Sequence, residues 1–163
     1  MAVIIRKIEQ KDNAEVASVI RNVLLEHNVP KVGTAYADVS LDWMFEKYDA
    51  SKSVYYVVEE DAKILGGAGI APLEGGAEDT CELQKMYFLA EARGKGLGET
   101  MMQKCLASAL DFGFERCYLE TMPYMQNAQK LYLKSGFKYL DAPMGDTGHT
   151  ECPVWMVKDL TLL

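Results

Sequence analysis

The stretch FLAEARGKGLGETMMQKCL, residues 88–106, places a glycine-rich loop between an apolar strand and an apolar helix. Its cations and glycines follow one another in the order Arg93, Gly94, Lys95, Gly96 and Gly98. Each glycine costs conformational entropy on folding, so a loop that only has to turn needs fewer of them. The spacing therefore indicates a loop whose backbone is approached closely by a ligand.

A helix that begins directly after a strand presents unpaired N–H groups at the edge of the sheet. These groups and the helix dipole attract anions, and glycine lets a phosphate reach the backbone. Two nucleotide signatures do not fit. A P-loop needs Ser or Thr after Gly-Lys, where Gly96 stands, and a dinucleotide loop starting at Gly94 or Gly96 needs glycine at Glu99 or Met101.

Composition limits the class of protein. The chain has 163 residues, 49% of them apolar and 25% charged, which predicts one globular domain over residues 1–163. The net charge of −7 argues against a nucleic-acid surface and suits a cationic small substrate. The opening MAVIIRKIEQKD turns charged too early for a signal peptide, and no apolar run is long enough to span a bilayer, so a cytoplasmic location is expected. The dispersed cysteines and histidines predict no metal site.

The hydrophobic pattern predicts an α+β fold with about seven strands and four helices. The predicted strands cover 2–8, 53–61, 63–73, 80–89, 115–122, 137–140 and 154–160. The predicted helices cover 12–27, 40–49, 96–113 and 127–136. The second and third strands form a hairpin around Asp61 and Ala62.

Two segments carry a resemblance to a known family. The run from Arg93 to Gly98 resembles the Gln/Arg-x-x-Gly-x-Gly/Ala signature of the GNAT superfamily of N-acetyltransferases. A second segment, NAQKLYLKSGF, resembles the family with Asn127, Tyr132 and Gly136 at matching positions. The resemblance implies a single GNAT-like domain with a mixed, mostly antiparallel sheet that splays between the fourth and fifth strands.

The resemblance further implies that acetyl-CoA is the acyl donor, bound as a substrate without a metal. The implied donor-binding residues are Met86, Phe88, Arg93, Gly94, Lys95, Gly96, Leu97, Gly98, Glu99 and Asn127. The loop amides would hold the pyrophosphate, and the strand at Met86 and Phe88 would pair with the pantetheine arm. Lys130 and Lys134 either meet the 3′-phosphate or form a solvated face.

Tyr132 stands at the position of the family's general acid, which protonates the departing thiolate. A tyrosine hydroxyl has an ordinary pKa of about 10, above that of a thiol at about 8.5, so it stays protonated and able to donate. The alternative is that Tyr132 only packs in the core, since it shares a helical stripe with Ala128 and Leu131.

The attacking amine needs a base, because an alkylammonium group with a pKa near 10 is about 0.1% neutral at pH 7. Glu82 is the first candidate: it precedes Arg93 by eleven residues, where histone-modifying members of the superfamily place a glutamate base. Strand alternation puts Glu82, Gln84, Met86 and Phe88 on one face.

Two other bases stay open, Glu120 near the end of the fifth strand and His149 in the loop before the last strand. A further alternative for Glu82 is an ion pair with Lys85 or with a substrate ammonium group. The family places its acceptor pocket between the first helices and the last hairpin. Aromatic and acidic residues there could line it: Tyr36, Asp38, Asp42, Trp43, Tyr124, Asp146 and Trp155.

The resulting prediction is an enzyme that moves the acetyl group of acetyl-CoA directly to a primary amine of a small molecule or amino acid. One alternative is acetylation of a protein N-terminus or lysine. Another is a coenzyme A-binding module without catalysis, which would not need Tyr132 or Glu82. No nucleic-acid or membrane partner is expected, and a homodimer stays open, with the last strand as an available sheet edge.

Overall fold

The computed structural model describes residues 2–161, in which one seven-stranded sheet is flanked by four α-helices. The strands are β1 Val3–Lys7, β2 Val54–Glu60, β3 Lys63–Pro72, β4 Thr80–Phe88, β5 Arg116–Thr121, β6 Lys138–Leu140 and β7 Val154–Asp159. The helices are α1 Asn13–Glu26, α2 Met44–Tyr48, α3 Leu97–Asp111 and α4 Gln126–Lys134. Within residues 2–161 no helix combines the length and apolar character needed to cross a bilayer.

The strand order is β1-β2-β3-β4-β5-β7-β6, and β4 and β5 are the one parallel pair among the strands described. This confirms the predicted mixed, mostly antiparallel sheet. The last strand, however, lies between β5 and β6, so β7 is not an available edge; β1 and β6 are the edges. The reason given for a homodimer through the last strand is therefore wrong, and the homodimer itself stays a prediction.

The turn between β2 and β3 and the start of α2 are set by local backbone conformation. Asp61 and Ala62 join β2 to β3 with φ values of 52° and 65°, the left-handed pair that a two-residue type I′ hairpin requires. Helix α2 is shorter than the predicted 40–49, because residues Val39–Trp43 form a 3-10 helix before it.

Both faces of the sheet are covered, which gives two layers of core. Helix α3 buries Met101 and Cys105 against one face, and α1 buries Ile20 and Leu24 against the other. In each helix the two residues are four positions apart and so share one side, as the apolar stripes predict. The two helices thereby hold the sheet between them.

The sheet opens between β4 and β5. These strands pair over three positions only, from Thr80 opposite Arg116 to Glu82 opposite Tyr118. Beyond Glu82 they separate, which confirms the predicted splay. The opening faces the loop that follows β4 and the helix that follows β5, so ligands can reach the centre of the sheet.

A bulge bends β4 at the same place. Gln84 lies opposite Gly69 and Tyr87 opposite Gly67, so β4 advances by three residues where β3 advances by two. Lys85, within the extra length, has a left-handed φ of 51°. The hydroxyl of Tyr55 donates a 2.8 Å hydrogen bond to the carbonyl oxygen of Lys85 in the buried core. The bulge is therefore held from inside the protein.

The bulge overturns one expectation from simple alternation. Met86 and Phe88 pack against the core layer of α3, the layer that also holds Leu83. Glu82 and Gln84 point to the opposite face, where Gln84 bonds to Tyr48. The prediction that Glu82, Gln84, Met86 and Phe88 share one face is wrong, because the extra residue reverses the sides of β4 beyond Lys85.

We expect Tyr55→Phe to lower the free energy of unfolding by about 1–3 kcal/mol, because it leaves the buried carbonyl of Lys85 without a partner. Urea denaturation measures the change as a shift in midpoint at constant slope. Tyr56→Phe is the matched control: its hydroxyl bonds to half-buried Ser108 at 2.6 Å, which water can replace. Equal losses in the two variants would contradict a special role for Tyr55 at the bulge.

Candidate active site

Two cavities meet where β4 and β5 separate. The first, here called the glycine-loop groove, has a volume of about 450 Å³ and runs along the loop between β4 and α3. The second, here called the charged cavity, has a volume of about 160 Å³ and lies on the α1 and α2 side of the sheet. Five residues line both: Met86, Tyr87, Met125, Ala128 and Tyr132. A molecule in one cavity can therefore contact a molecule in the other.

The glycine loop leaves its backbone open to the groove. Gly94 and Gly96 have φ values of 76° and 75°, and a Cβ atom built on either would meet nothing within 4 Å. These glycines are thus required by the backbone conformation and not by close packing. Gly96 directly precedes α3, so the open space lies at the positive end of a fifteen-residue helix.

Most of the predicted donor-binding residues line this groove. They are Met86, Phe88, Arg93, Gly94, Gly96, Leu97, Gly98 and Asn127. Lys95 and Glu99 lie outside its lining. Glu99 instead forms an ion pair with Lys134, which ties the first turn of α3 to the last turn of α4 and engages a lysine considered for the 3′-phosphate.

Arg93 is held by the end of α1. Its guanidinium group donates to both carboxylate oxygens of Glu26, at 2.6 and 3.0 Å, and to the carbonyl oxygen of Phe88 at 2.7 and 3.1 Å. The hydrogen bond and charge of Arg93 lower the pKa of Glu26. Arg93 therefore braces the loop against β4 and α1 as well as lining the groove.

The charged cavity is built around Asp38, which lies in the segment between α1 and α2. Its carboxylate accepts hydrogen bonds from Lys85 at 2.9 Å and from Nε2 of His149 at 2.9 Å. Burial opposes ionisation of Asp38, but the contacts with His149 and Lys85 outweigh it and lower the pKa of Asp38. Burial also opposes a charge on His149, yet the bond and charge of Asp38 raise the pKa of His149.

Glu120 closes the other side of this cluster. It accepts hydrogen bonds from Thr147 and, at 2.6 Å, from Tyr118, and Nδ1 of His149 lies 3.9 Å from its Oε1. The imidazole of His149 therefore stands between two carboxylates that come from different parts of the chain. Both Lys85 and Glu120 expose only 5% of their side chains.

Glu82 is a buried carboxylate of the cavity that has no ion-pair partner among the described residues. Its Oε1 accepts a 2.7 Å hydrogen bond from Gln84, whose own oxygen accepts one from Tyr48 at 2.5 Å. Burial, with a smaller contribution from the charge of Glu120, raises the pKa of Glu82 to about 7. Lys85 pairs with Asp38 and not with Glu82, so the ion pair considered from the sequence does not form.

Tyr132 stands at the junction of the two cavities. Its ring packs against Phe137 with the ring centres 6.1 Å apart, and 7% of the residue is exposed. Burial raises the pKa of Tyr132 to about 12. Within residues 2–161 its hydroxyl forms no side-chain hydrogen bond, which leaves the O–H group available at the junction.

The structure brings the four predicted catalytic candidates, Tyr132, Glu82, Glu120 and His149, to the lining of one cavity. Sequence reasoning did not place Lys85 or Lys47 there. Among the residues considered for the acceptor pocket, Asp38 lines the charged cavity and Tyr124 lines the groove, whereas Trp43 is exposed and Asp42 pairs with Arg21.

Comparison with known proteins identifies the family. Residues 20–137 match the sequence model of the Acetyltransferase (GNAT) family. Over 158 residues the chain is 41% identical to "Uncharacterized N-acetyltransferase YjgM" of Escherichia coli (strain K12), which covers 96% of this chain and 95% of that protein. The chain therefore belongs to the GNAT acetyltransferase family, an enzyme family that uses acetyl-CoA as its acyl donor.

Solved structures show the same fold. A GNAT-family acetyltransferase from Staphylococcus aureus Mu50 superposes with a TM-score of 0.87 at 19% identity, over 98% of this chain and 100% of that one. The PaiA N-acetyltransferase from Thermoplasma acidophilum, determined in complex with coenzyme A, superposes with a TM-score of 0.69 at 19% identity, over 98% and 99% of the two chains.

The cluster makes stability depend on pH. A histidine whose pKa is raised on folding stabilises the protein fully below its unfolded value of about 6.5, and this contribution is lost as pH rises through the folded pKa. We expect His149→Gln to cost about 1–3 kcal/mol near pH 6 and progressively less above it. Urea denaturation at a series of pH values measures this. His27→Gln removes the other histidine as a control; a cost for His149→Gln that grows with pH would contradict the prediction.

Proposed function

We propose that this enzyme transfers the acetyl group of acetyl-CoA directly to the primary amine of a small molecule, with Glu82 as general base and Tyr132 as general acid. The observation that carries the proposal is the junction of the two cavities: Tyr132 lines both of them, and Glu82 lines the charged cavity that adjoins the groove. A base and an acid placed on one reacting centre are what transfer in a ternary complex requires.

The glycine-loop groove suits the acyl donor. In the proposal the amides from Gly94 to Glu99, at the start of α3, hold the pyrophosphate, although the Lys95 and Glu99 side chains lie outside the groove. The opened edge of β4 at Met86 and Phe88 offers backbone groups to the pantetheine arm. A backbone N–H of the bulged strand would then stabilise the developing oxyanion of the thioester.

Glu82 suits the acceptor amine. A base is most effective when its pKa lies near the working pH, and burial brings the pKa of Glu82 to about 7. The excess negative charge of the cavity favours entry of the amine as its ammonium form. Glu82 then removes one proton, and the neutral amine attacks the carbonyl carbon.

Tyr132 suits the leaving group. As the tetrahedral intermediate collapses, the C–S bond breaks and Tyr132 gives its proton to the sulfur. The second proton of the former ammonium group restores the tyrosine hydroxyl, and the products are the amide, free coenzyme A thiol and one proton held by Glu82. In this scheme Glu120 positions His149 and Thr147, and it stays the alternative base.

The walls of the charged cavity favour a small acceptor over a protein. The segments 27–43 and 141–153 meet over it, through the Asp38–His149 pair and a 3.0 Å hydrogen bond from the amide of Glu151 to the carbonyl of Gly33. The N-terminus or a lysine of a protein substrate could enter only if these two segments moved apart. A coenzyme A-binding module without catalysis would have no use for a buried carboxylate in the cavity that Tyr132 also lines.

The test of the function is release of free thiol from acetyl-CoA in the presence of a panel of small amines. We expect Tyr132→Phe to lower kcat at least about tenfold, because the thiolate then leaves unprotonated. Binding of acetyl-CoA by calorimetry should stay unchanged, since the ring is kept. Tyr139→Phe, an exposed tyrosine of β6, is the matched control. An unchanged kcat in Tyr132→Phe would remove the acid assignment.

Glu82 is tested by the pH dependence of kcat/KM. In the wild type we expect kcat/KM to fall below a pKa of about 7, where Glu82 becomes protonated, and to level off above it. In Glu82→Gln only free neutral amine reacts, so the value should be lower and rise steadily towards the amine pKa of about 10. If the fall of kcat/KM below pH 7 is lost in Glu120→Gln but kept in Glu82→Gln, Glu120 is the base.

A further inference from the structure

We propose that the acceptor carries a carboxylate as well as its amine, and that Lys47 binds this carboxylate at the mouth of the charged cavity. The inference rests on the proposed function and names the class of its substrate: a small amino acid or a closely similar amine with one acidic group. Lys47 would then be a specificity-determining residue that takes no part in the chemical step.

The inner part of the charged cavity already accounts for the amine. Three carboxylates, Asp38, Glu82 and Glu120, face two cations, Lys85 and His149. Both cations are paired with Asp38, so one negative charge remains without a cation when all five groups are ionised. One substrate ammonium group would balance this remaining negative charge.

Lys47 is a separate cation at the mouth of the cavity. It belongs to α2, lines the cavity and lies over the ring of Tyr48, with Nζ 5.4 Å from the ring centre. Within residues 2–161 it forms no ion pair, in contrast to Lys85. Desolvation of Lys47, with a smaller contribution from the charge of Lys85, outweighs the opposing charges of Asp38, Glu82 and Glu74 and lowers the pKa of Lys47. A carboxylate bound beside Lys47 would favour its charged form.

Hydrogen bonds connect the residue next to Lys47 in α2 to Glu82 in β4. Tyr48, the next residue, donates to Gln84, and Gln84 donates to Glu82. These two bonds join α2, which carries Lys47, to the strand that carries Glu82. A ligand with a cation at Glu82 and an anion at Lys47 would bridge the same two elements.

Size and charge select a compact acid with a single negative charge. A volume near 160 Å³ accommodates a ligand of roughly benzene size or slightly larger. Four carboxylates line the cavity, including exposed Glu74 at the mouth, and they oppose a doubly charged phosphate or phosphonate. A carboxylate therefore fits better than either of those groups.

The experiment compares matched acceptors on the wild-type enzyme. Each proteinogenic amino acid is offered with acetyl-CoA as the free acid, the carboxamide and the decarboxylated amine, and thiol release gives kcat/KM. For the best acceptor we expect the free acid to exceed both neutral forms by at least about fivefold. The corresponding aminophosphonate should be poorer than the carboxylic acid.

Two variants assign this preference to Lys47. Lys47→Met keeps an apolar stem and should remove the preference by raising KM for the free acid at least about fivefold. Lys47→Glu should reverse it and favour a diamine. Lys11→Met, an exposed lysine outside the cavity, is the matched control and should leave the preference intact.

The outcomes separate this inference from the proposed function. Thiol release with equal kcat/KM for acids and neutral amines would overturn the carboxylate proposal and leave the acetyltransferase function standing. A preference that survives Lys47→Met would overturn the role of Lys47. Absence of thiol release with every amine, together with intact acetyl-CoA binding, would overturn the proposed small-amine function and the inference with it.

Discussion

The separation of β4 from β5 is the constraint on which the rest of the site depends. Backbone N–H and C=O groups in a protein interior need partners, yet these strands stop pairing after Glu82. The bulge in β4 interrupts pairing with β3 as well, and there Tyr55 donates a hydrogen bond to the carbonyl oxygen of Lys85. Two cavities lie where the strands separate. In the proposed function, the amide groups of the bound donor would pair with the opened edge of β4.

The charges of the cavity are organised by Asp38. It pairs with two cations of the cavity, Lys85 and His149. Burial and, to a smaller extent, the charge of Glu120 raise the pKa of Glu82, while His149 and Lys85 act in the opposite direction. Breaking one member of such a cluster leaves its partners buried and unpaired, which costs more than a surface ion pair of the same geometry.

The sequence predicts those features that depend on local pattern. Periodicity locates the strands and helices, and Gly94 and Gly96 adopt the left-handed conformation for which glycine is suited. Motif spacing places Tyr132 at the junction. The bulge at Lys85 could not be predicted, because nothing in TCELQKMYFL distinguishes a bulged strand from a regular one. The partnership of Asp38 with His149 could not be predicted either, since the two residues are 111 positions apart and meet only through the fold.

The two cavities are built from different parts of the chain. The groove is formed largely by the chain from Met86 to Tyr132, whereas the roof of the charged cavity comes from segments 27–43 and 141–153, which lie outside that range. Surface connections tolerate substitution and insertion better than the strands they join. In the proposed function, substitutions in these two segments would therefore change the acceptor, while the groove proposed for the donor stays the same.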